Sequence, residues 1–96
     1  MQTLSVQIIS PVETIFVGDA LSVSSHNSAG NFDILPEHAN FITLIDKDPI
    51  TVRLVGGETK VFNLPLVVLR CWKDQIEIFT DLSKAELLLP EPKSFV

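Results

Sequence analysis

The sequence predicts an all-β fold, a flattened antiparallel sandwich with one short helical turn close to its C-terminus. Three observations predict it. Apolar and polar residues alternate with a period of two in run after run, which buries one face of a strand. Turn residues punctuate these runs at short intervals, as in β-sandwiches and barrels. A helix start signal appears only once, at Ser83-Lys84-Ala85-Glu86, where the spacing is that of a capping box.

The elements follow in order. Leu4, Val6 and Ile8 alternate with Ser5 and Gln7, and Pro11 ends this first strand. Glu13 to Val17 reads as a second extended run, closed by a turn at Gly18-Asp19. Ala20 to Ser24 gives a third, with Leu21 and Val23 on one face and Ser22 and Ser24 on the other. His26 to Gly30 is rich in turn formers and reads as a loop. Phe32 and Ile34 fit a short strand that Pro36 terminates, and Phe41 to Ile45 fits either a strand or a single helical turn. Ile50, Val52 and Leu54 alternate with Thr51 and Arg53, Gly56-Gly57 follows, and Glu58 to Phe62 resumes, which predicts a tight hairpin. Leu66 to Cys71 is a strand, Lys73-Asp74 a turn, and Gln75 to Phe79 a last strand with Ile76 and Ile78 on one face. Leu87 to Leu89 continue the helical turn and Pro90 stops it. The predicted organisation is a sandwich domain over residues 1–83 and a helical turn with a proline-rich tail over 84–96.

Composition bounds the function. At 96 residues the chain is one domain, with 46% hydrophobic and 20% charged residues, an ordinary globular balance. The formal net charge is −5 and the seven basic residues are scattered singly. Nucleic acids and anionic membrane surfaces are bound by clustered Lys and Arg, so neither partner is expected. Cys71 is the one cysteine, which excludes an internal disulfide or a cysteine zinc cage. The N-terminus lacks the basic and apolar regions of a signal peptide, and no apolar run approaches the roughly 20 residues that span a bilayer. The chain reads as soluble and cytosolic.

Chemistry is sparse. His26 and His38 are the only side chains that ordinarily titrate near neutrality, and Glu37 is the one carboxylate adjacent to either. That is too few ligands for zinc. Ser24, Ser25, Asp33 and His38 supply the residue types of a hydrolytic triad, but no nucleophile-elbow pattern surrounds the serines. Gly56-Gly57 is followed by no lysine-serine pair, so it is a turn rather than a phosphate loop. Cys71 reads as a small buried hydrophobe and Trp72 as a core edge. Leu66, Val67, Val68 and Leu69 break the pattern, being apolar on both faces of their strand. Such a strand is covered on its outer side or meets another protein there.

One stretch, SVSSHNSAGNFDILPEHANFITLI, followed by the ITVRLVGGETKVF hairpin and a strand pair ending FTD, resembles a known family. It is similar to the N-terminal β-sandwich domain of the epsilon subunit of F-type ATP synthase, called delta in mitochondria. The family signature G-x-[FL]-[GD]-[IL]-[LY]-P-x-H-A-x-[LF]-[LI]-T stands here as Gly30, Phe32, Ile34, Leu35, Pro36, His38, Ala39 and Thr43. The resemblance covers about residues 3 to 86. It implies a sandwich of about ten strands on the rotor, packed against the gamma subunit and resting on the ring of c subunits. It implies no catalytic site, cofactor, metal or small-molecule substrate, and no insertion into the membrane. It implies a peripheral place on the cytoplasmic face of a bacterial or archaeal plasma membrane.

By this resemblance Gly30 to Thr43 is a docking loop, stiffened by Pro36 so that ordering it on binding costs little entropy. His38 and Thr43 meet gamma, the loop tip at Asn31 faces the c ring, and Phe32, Pro36 and Glu37 belong to the same contact. Many family members carry an acidic residue in place of Asn31, which brings hydrogen bonds without charge. The family's Ser-Gly-Gly is replaced by Pro65-Leu66-Val67, which makes the gamma-facing surface more apolar. Family chains continue into a helical hairpin that inhibits ATP hydrolysis and in some members binds ATP. Here LPEPKSFV closes the sequence and reads as a native tail, so neither hairpin inhibition nor a nucleotide site is expected. The alternative is a stand-alone sandwich that binds a protein or small ligand. A small enzyme using His38 as base is a third reading, and the sequence supplies it with no convergent acid or pocket.

Overall fold

The computed structural model describes residues 2–81, and every regular element in them is a strand. These are β1 (Leu4–Ile9), β2 (Thr14–Asn27), β3 (Gly30–Ile34), β4 (Phe41–Asp46), β5 (Ile50–Leu54), β6 (Thr59–Phe62), β7 (Leu66–Trp72) and β8 (Gln75–Phe79). The stretch left open between strand and helical turn is therefore the strand β4. The predicted helical turn at Ser83 to Leu89 and the domain boundary at residue 83 lie outside the described residues.

The strands join in the order β4-β7-β8-β1-β2-β5-β6, with β3 also paired to β2. All pairs are antiparallel except β1 with β8, which run parallel from Ser5↔Gln75 to Ile9↔Phe79. The sheet curls so that both halves face one core. Leu4, Val6, Ile8, Leu69, Ile76 and Ile78 from one half meet Val23, Ile34, Ile50 and Val52 from the other, all fully buried. The alternation read from the sequence thus sets the inward face of β1, β5 and β8, while in β7, apolar on both faces, it is Val67, Leu69 and Cys71 that turn inward.

The turn predicted at Gly18-Asp19 is absent, and β2 is one continuous strand of 14 residues. Gly18 is needed for room instead. A Cβ there would lie 2.9 Å from Cζ of Phe16, whose ring folds over the glycine and packs on Phe62 with centroids 5.3 Å apart. The third predicted strand is likewise corrected. The register to β5 shifts between Ala20 and Ser22, so Leu21 is an extra residue opposite no partner. Burial passes from Ala20 to Val23 across this bulge, and Ser22 is buried rather than outward, taking a hydrogen bond from Arg53 Nη1 at 3.2 Å.

The β5–β6 hairpin has a three-residue loop, with Leu54 and Glu58 facing each other across it. The amide of Gly57 donates to the Leu54 carbonyl at 3.0 Å, and Gly57 alone of the two glycines has a positive φ, 93°. A turn followed by one left-handed residue is the usual three-residue solution, so one glycine is enough. The β7–β8 hairpin is tighter. Lys73 and Asp74 both sit at positive φ, 48° and 64°, as a two-residue turn of the primed type requires.

Replacing Val52 by Asp puts an uncompensated charge in this core, at a cost of about 3–5 kcal/mol, and the variant is expected to show no cooperative thermal transition by circular dichroism. A melting curve like the native one would place Val52 on the solvent side. Burial also pushes the Cys71 thiol above the ordinary value of 9.0, with the Asp74 carboxylate adding to the rise. The folded thiol keeps its proton where the unfolded one loses it, so stability is intact below pH 9.0 and falls as pH climbs above it. Urea midpoints measured across that range, together with slow native and fast unfolded labelling of Cys71, check both points.

Candidate functional site

The proline-glutamate-histidine knuckle is a β-turn clamped to another hairpin. The amide of His38 donates to the Leu35 carbonyl at 3.1 Å, with Pro36 and Glu37 at the two central positions. Proline suits the first of these, and the second takes positive φ, which Glu37 supplies at 69°. A non-glycine residue pays about 1–2 kcal/mol for that conformation. Tertiary bonds hold it there. The Glu37 amide donates to Asp74 Oδ1 at 2.7 Å, and Gln2 Nε2 donates to Glu37 Oε1 at 2.7 Å. Asn40 Oδ1 accepts from the Lys73 amide at 2.8 Å, and the Asp74 carbonyl accepts from Ser5 at 2.8 Å.

His38 is exposed, with its ring 5.1 Å from that of Phe41 and Nδ1 2.8 Å from the Ala39 carbonyl oxygen. Phe32 meets Phe41 edge to face at 5.9 Å and is half-buried. These rings anchor the knuckle to β3 and β4. Beside it Trp72 is half exposed, with the Arg70 guanidinium and the Lys73 ammonium 5.7 and 5.9 Å from its ring. The knuckle is thus a stiff, polar-tipped projection with an aromatic base.

The other expected contact residues lie elsewhere on the sandwich. Asn31 is exposed next to the β2–β3 turn, and its Oδ1 is 2.8 Å from Nδ1 of His26, the residue opposite it. Thr43 is half-buried, and its hydroxyl accepts from Asn27 Nδ2 at 3.0 Å, a bond that ties β4 to the end of β2. Pro65 and Leu66 are exposed at the far end of β4 from the knuckle, where Leu66 faces Asp46 and the Pro65 carbonyl accepts from Lys47 at 2.6 Å. At about 3.3 Å per residue, the length of β4 separates them from Phe41 by roughly 17 Å. Structure therefore brings Phe32, Pro36, Glu37 and His38 together, sets Asn31 and Thr43 apart from them, and puts Pro65 and Leu66 at the other end.

A shallow, open depression lies between β2, β3 and β5, lined by Ser24, Ser25, His26, Asp33, Asp48 and Thr51 among others. Its serine hydroxyls are engaged away from imidazoles. Ser24 donates to Asp33 Oδ1 at 2.5 Å and Ser25 to the Pro49 carbonyl at 2.9 Å. Ser24 and Asp33 are direct cross-strand partners, while His38 sits on the knuckle. The triad types noted in the sequence are thus paired in a way that leaves serine without a histidine base. Among the described residues no three His, Cys, Asp or Glu side chains converge on a metal position, and no helix is long and apolar enough to cross a membrane.

Sequence reasoning missed Gln2, Asn40 and Asp74 as the clamp on the knuckle, because these bonds cross more than thirty positions of chain. It saw only part of the apolar outer face. Leu66 and Val68 do point outward from β7, but Ile42 and Leu44 of β4 and Phe79 of β8 join them there. The signal lay in Phe41 to Ile45, where both parities carry apolar residues, Phe41 and Ile45 on one and Ile42 and Leu44 on the other.

Replacing Asp74 by Ala removes the acceptor of the Glu37 amide and leaves alanine in a left-handed turn, so about 1–3 kcal/mol of stability is lost. Urea unfolding measures the loss, and hydrogen exchange is expected to speed up at the Glu37 amide first. Unchanged exchange there would mean that the knuckle holds its shape without the clamp.

The family described as "ATP synthase, Delta/Epsilon chain, beta-sandwich domain" matches residues 3–85. The ATP synthase epsilon chain of Bordetella petrii is 42% identical over 65 residues, which cover 65% of this chain and 45% of that one. The epsilon chain of Nitratiruptor sp. is 36% identical over 58 residues, covering 60% of this chain and 45% of its own. The chain thus spans about half the length of the curated relatives it matches. Among solved structures, a chain of the Euglena gracilis mitochondrial ATP synthase (OSCP/F1/c-ring) superposes with a TM-score of 0.76 at 12% identity, covering 83% of this chain and 51% of that one. A chain of the Tetrahymena thermophila mitochondrial ATP synthase central stalk and c-ring gives 0.70 at 12% identity, covering 97% and 75%. At that identity the likeness is one of fold.

Proposed function

The chain belongs to the delta/epsilon-chain family of ATP synthases through its β-sandwich domain, and on that footing we propose that it is a non-catalytic rotor subunit of a rotary F-type ATP synthase. In this reading it docks on the gamma subunit and on the c ring and helps couple ion translocation to ATP synthesis. The observation that carries the reading is the family match over residues 3–85. The relatives are named ATP synthase epsilon chains, and the two solved neighbours come from assemblies that include the c ring. In the bacterial or archaeal case such a subunit sits peripherally on the cytoplasmic face of the plasma membrane.

The geometry supports a division of labour. The clamped knuckle presents exposed His38 on a rigid base, which suits a contact that must not yield under torque. A preorganised loop also loses little entropy on docking. His38 with Phe32, Pro36 and Glu37 forms one gamma-facing contact, and Thr43 meets gamma farther along β4. Asn31, exposed beside the β2–β3 turn, faces the polar loops of the ring through hydrogen bonds. Pro65 and Leu66 offer a second, apolar contact at the other end of β4.

Co-purification of the chain with gamma and c subunits of its own source is the test. A stoichiometric complex is expected, and a monomer that binds neither would return the chain to the class of stand-alone binding modules. Replacing His38 by Asp is expected to lower the yield of the complex while shifting the isolated domain's stability by no more than about 0.5 kcal/mol, as for other exposed positions. Unchanged capture of gamma by that variant would remove His38 from the contact.

A further inference from the structure

His38 is an exposed residue of the knuckle, and the structure fixes which hydrogen-bonding group it offers. Its Nδ1 lies 2.8 Å from the Ala39 carbonyl oxygen. A carbonyl oxygen only accepts, so any imidazole that makes this bond carries a proton on Nδ1. His26 is the contrast. Its Nδ1 meets the side-chain amide of Asn31, which accepts with its oxygen or donates with its nitrogen according to how it is turned, so nothing about that ring follows. At His38 the acceptor belongs to the backbone and cannot turn over.

The ring is also held in orientation. It packs on Phe41 with centroids 5.1 Å apart and planes inclined at 50°. The His38 amide is committed to the Leu35 carbonyl, within the turn that Asp74 and Gln2 clamp through Glu37. Nε2 is the nitrogen left over. It has no hydrogen-bond partner among the described residues, and the ion pairs there, Lys60–Glu58 and Arg70–Glu77, do not include His38. Imidazoles are neutral at about pH 8, and a neutral ring with its proton on Nδ1 presents a bare lone pair at Nε2. Charges around the tip have the same sense. Glu37 precedes His38 and its carboxylate takes a bond from Gln2, while Asp74 supports the turn from the β7–β8 hairpin. The Lys73 ammonium is drawn to the Trp72 ring, 5.9 Å from its centroid. The tip thus offers acceptors and negative charge, which a basic side chain complements.

We propose that the Nε2 lone pair of His38 accepts a hydrogen bond from a lysine or arginine of the partner that lies against the knuckle. The inference rests on the rotor reading for the identity of that partner, the gamma subunit, and adds the chemistry of the contact. It sets a rule of polarity at position 38. A side chain that only accepts, and reaches as far as the imidazole, serves in place of His38. A side chain that only donates does not. Asp accepts but ends short of the Nε2 position, so it fails on length, whereas Glu has the further methylene.

Two measurements at about pH 8, where imidazoles are neutral, test this. Proton–nitrogen correlation spectra of the imidazoles of the isolated chain, with the His38 signals assigned by their loss in His38→Glu, are expected to show a protonated Nδ1 and a bare Nε2. The opposite pattern overturns the proposal. Affinity for the gamma subunit of the same source is then compared in the native, His38→Glu and His38→Lys chains, after equal melting midpoints have shown that all three fold. His38→Glu is expected to bind within about threefold of the native chain, the scale of an exposed substitution. His38→Lys is expected to bind about tenfold more weakly or worse, the worth of a charge-assisted hydrogen bond. A His38→Lys chain that binds like the native one, or a His38→Glu chain as weak as His38→Lys, overturns the proposal. A native chain that binds no gamma overturns the rotor reading and with it the partner named here, and the spectra still decide which nitrogen of His38 is bare.

Discussion

One strand belongs to both halves of this molecule, and the fold depends on it. β2 pairs with β1 along its first half, then with β5 and β3 along its second. A straight strand of 14 residues would hold its partners in one open sheet with a bare apolar face. The extra residue at Leu21 raises the local twist and changes which parity points inward. The two halves then close on each other and bury Val23, Ile34, Ile50 and Val52 against β1, β7 and β8. Gly18 belongs to the same device, since it leaves the room that lets Phe16 lie flat and reach Phe62.

The parallel pairing of β1 with β8 closes the domain in sequence as well as in space. The first and last described strands are neighbours, so the hairpin turn of β7–β8 arrives beside the N-terminus. That is why Gln2, Ser5, Glu37, Asn40 and Asp74 meet in one network. Strain at Glu37 is held by bonds from two distant segments, and a loop tied at both sides moves with the sandwich rather than against it.

Surface polarity divides the molecule into distinct faces. The knuckle and the β2–β3 turn are polar at their tips and carry His38 and Asn31. The β4-β7-β8 face is apolar and continuous, and its one ion pair lies at its border. The depression beside Ser24 and Asp33 has its hydroxyls committed to cross-strand and backbone acceptors.

Sequence by itself determined the strand content and the inward faces of β1, β5 and β8. Period-two alternation and turn chemistry are local, so they survive being read along the chain. The Pro36 turn was legible for the same reason. Tertiary structure alone decided that Gly18-Asp19 is not a turn, because the room Gly18 leaves is filled by a ring packed on a strand far along the chain. It alone decided that Glu37 holds a positive φ, which bonds from Gln2 and Asp74 compensate. It separated Pro65 and Leu66 from the knuckle by the length of β4, and it joined Ile42, Leu44, Val68 and Phe79 into one patch. Register between strands sets each of these. Register follows from how the two halves close over a shared core, which no single stretch of residues contains.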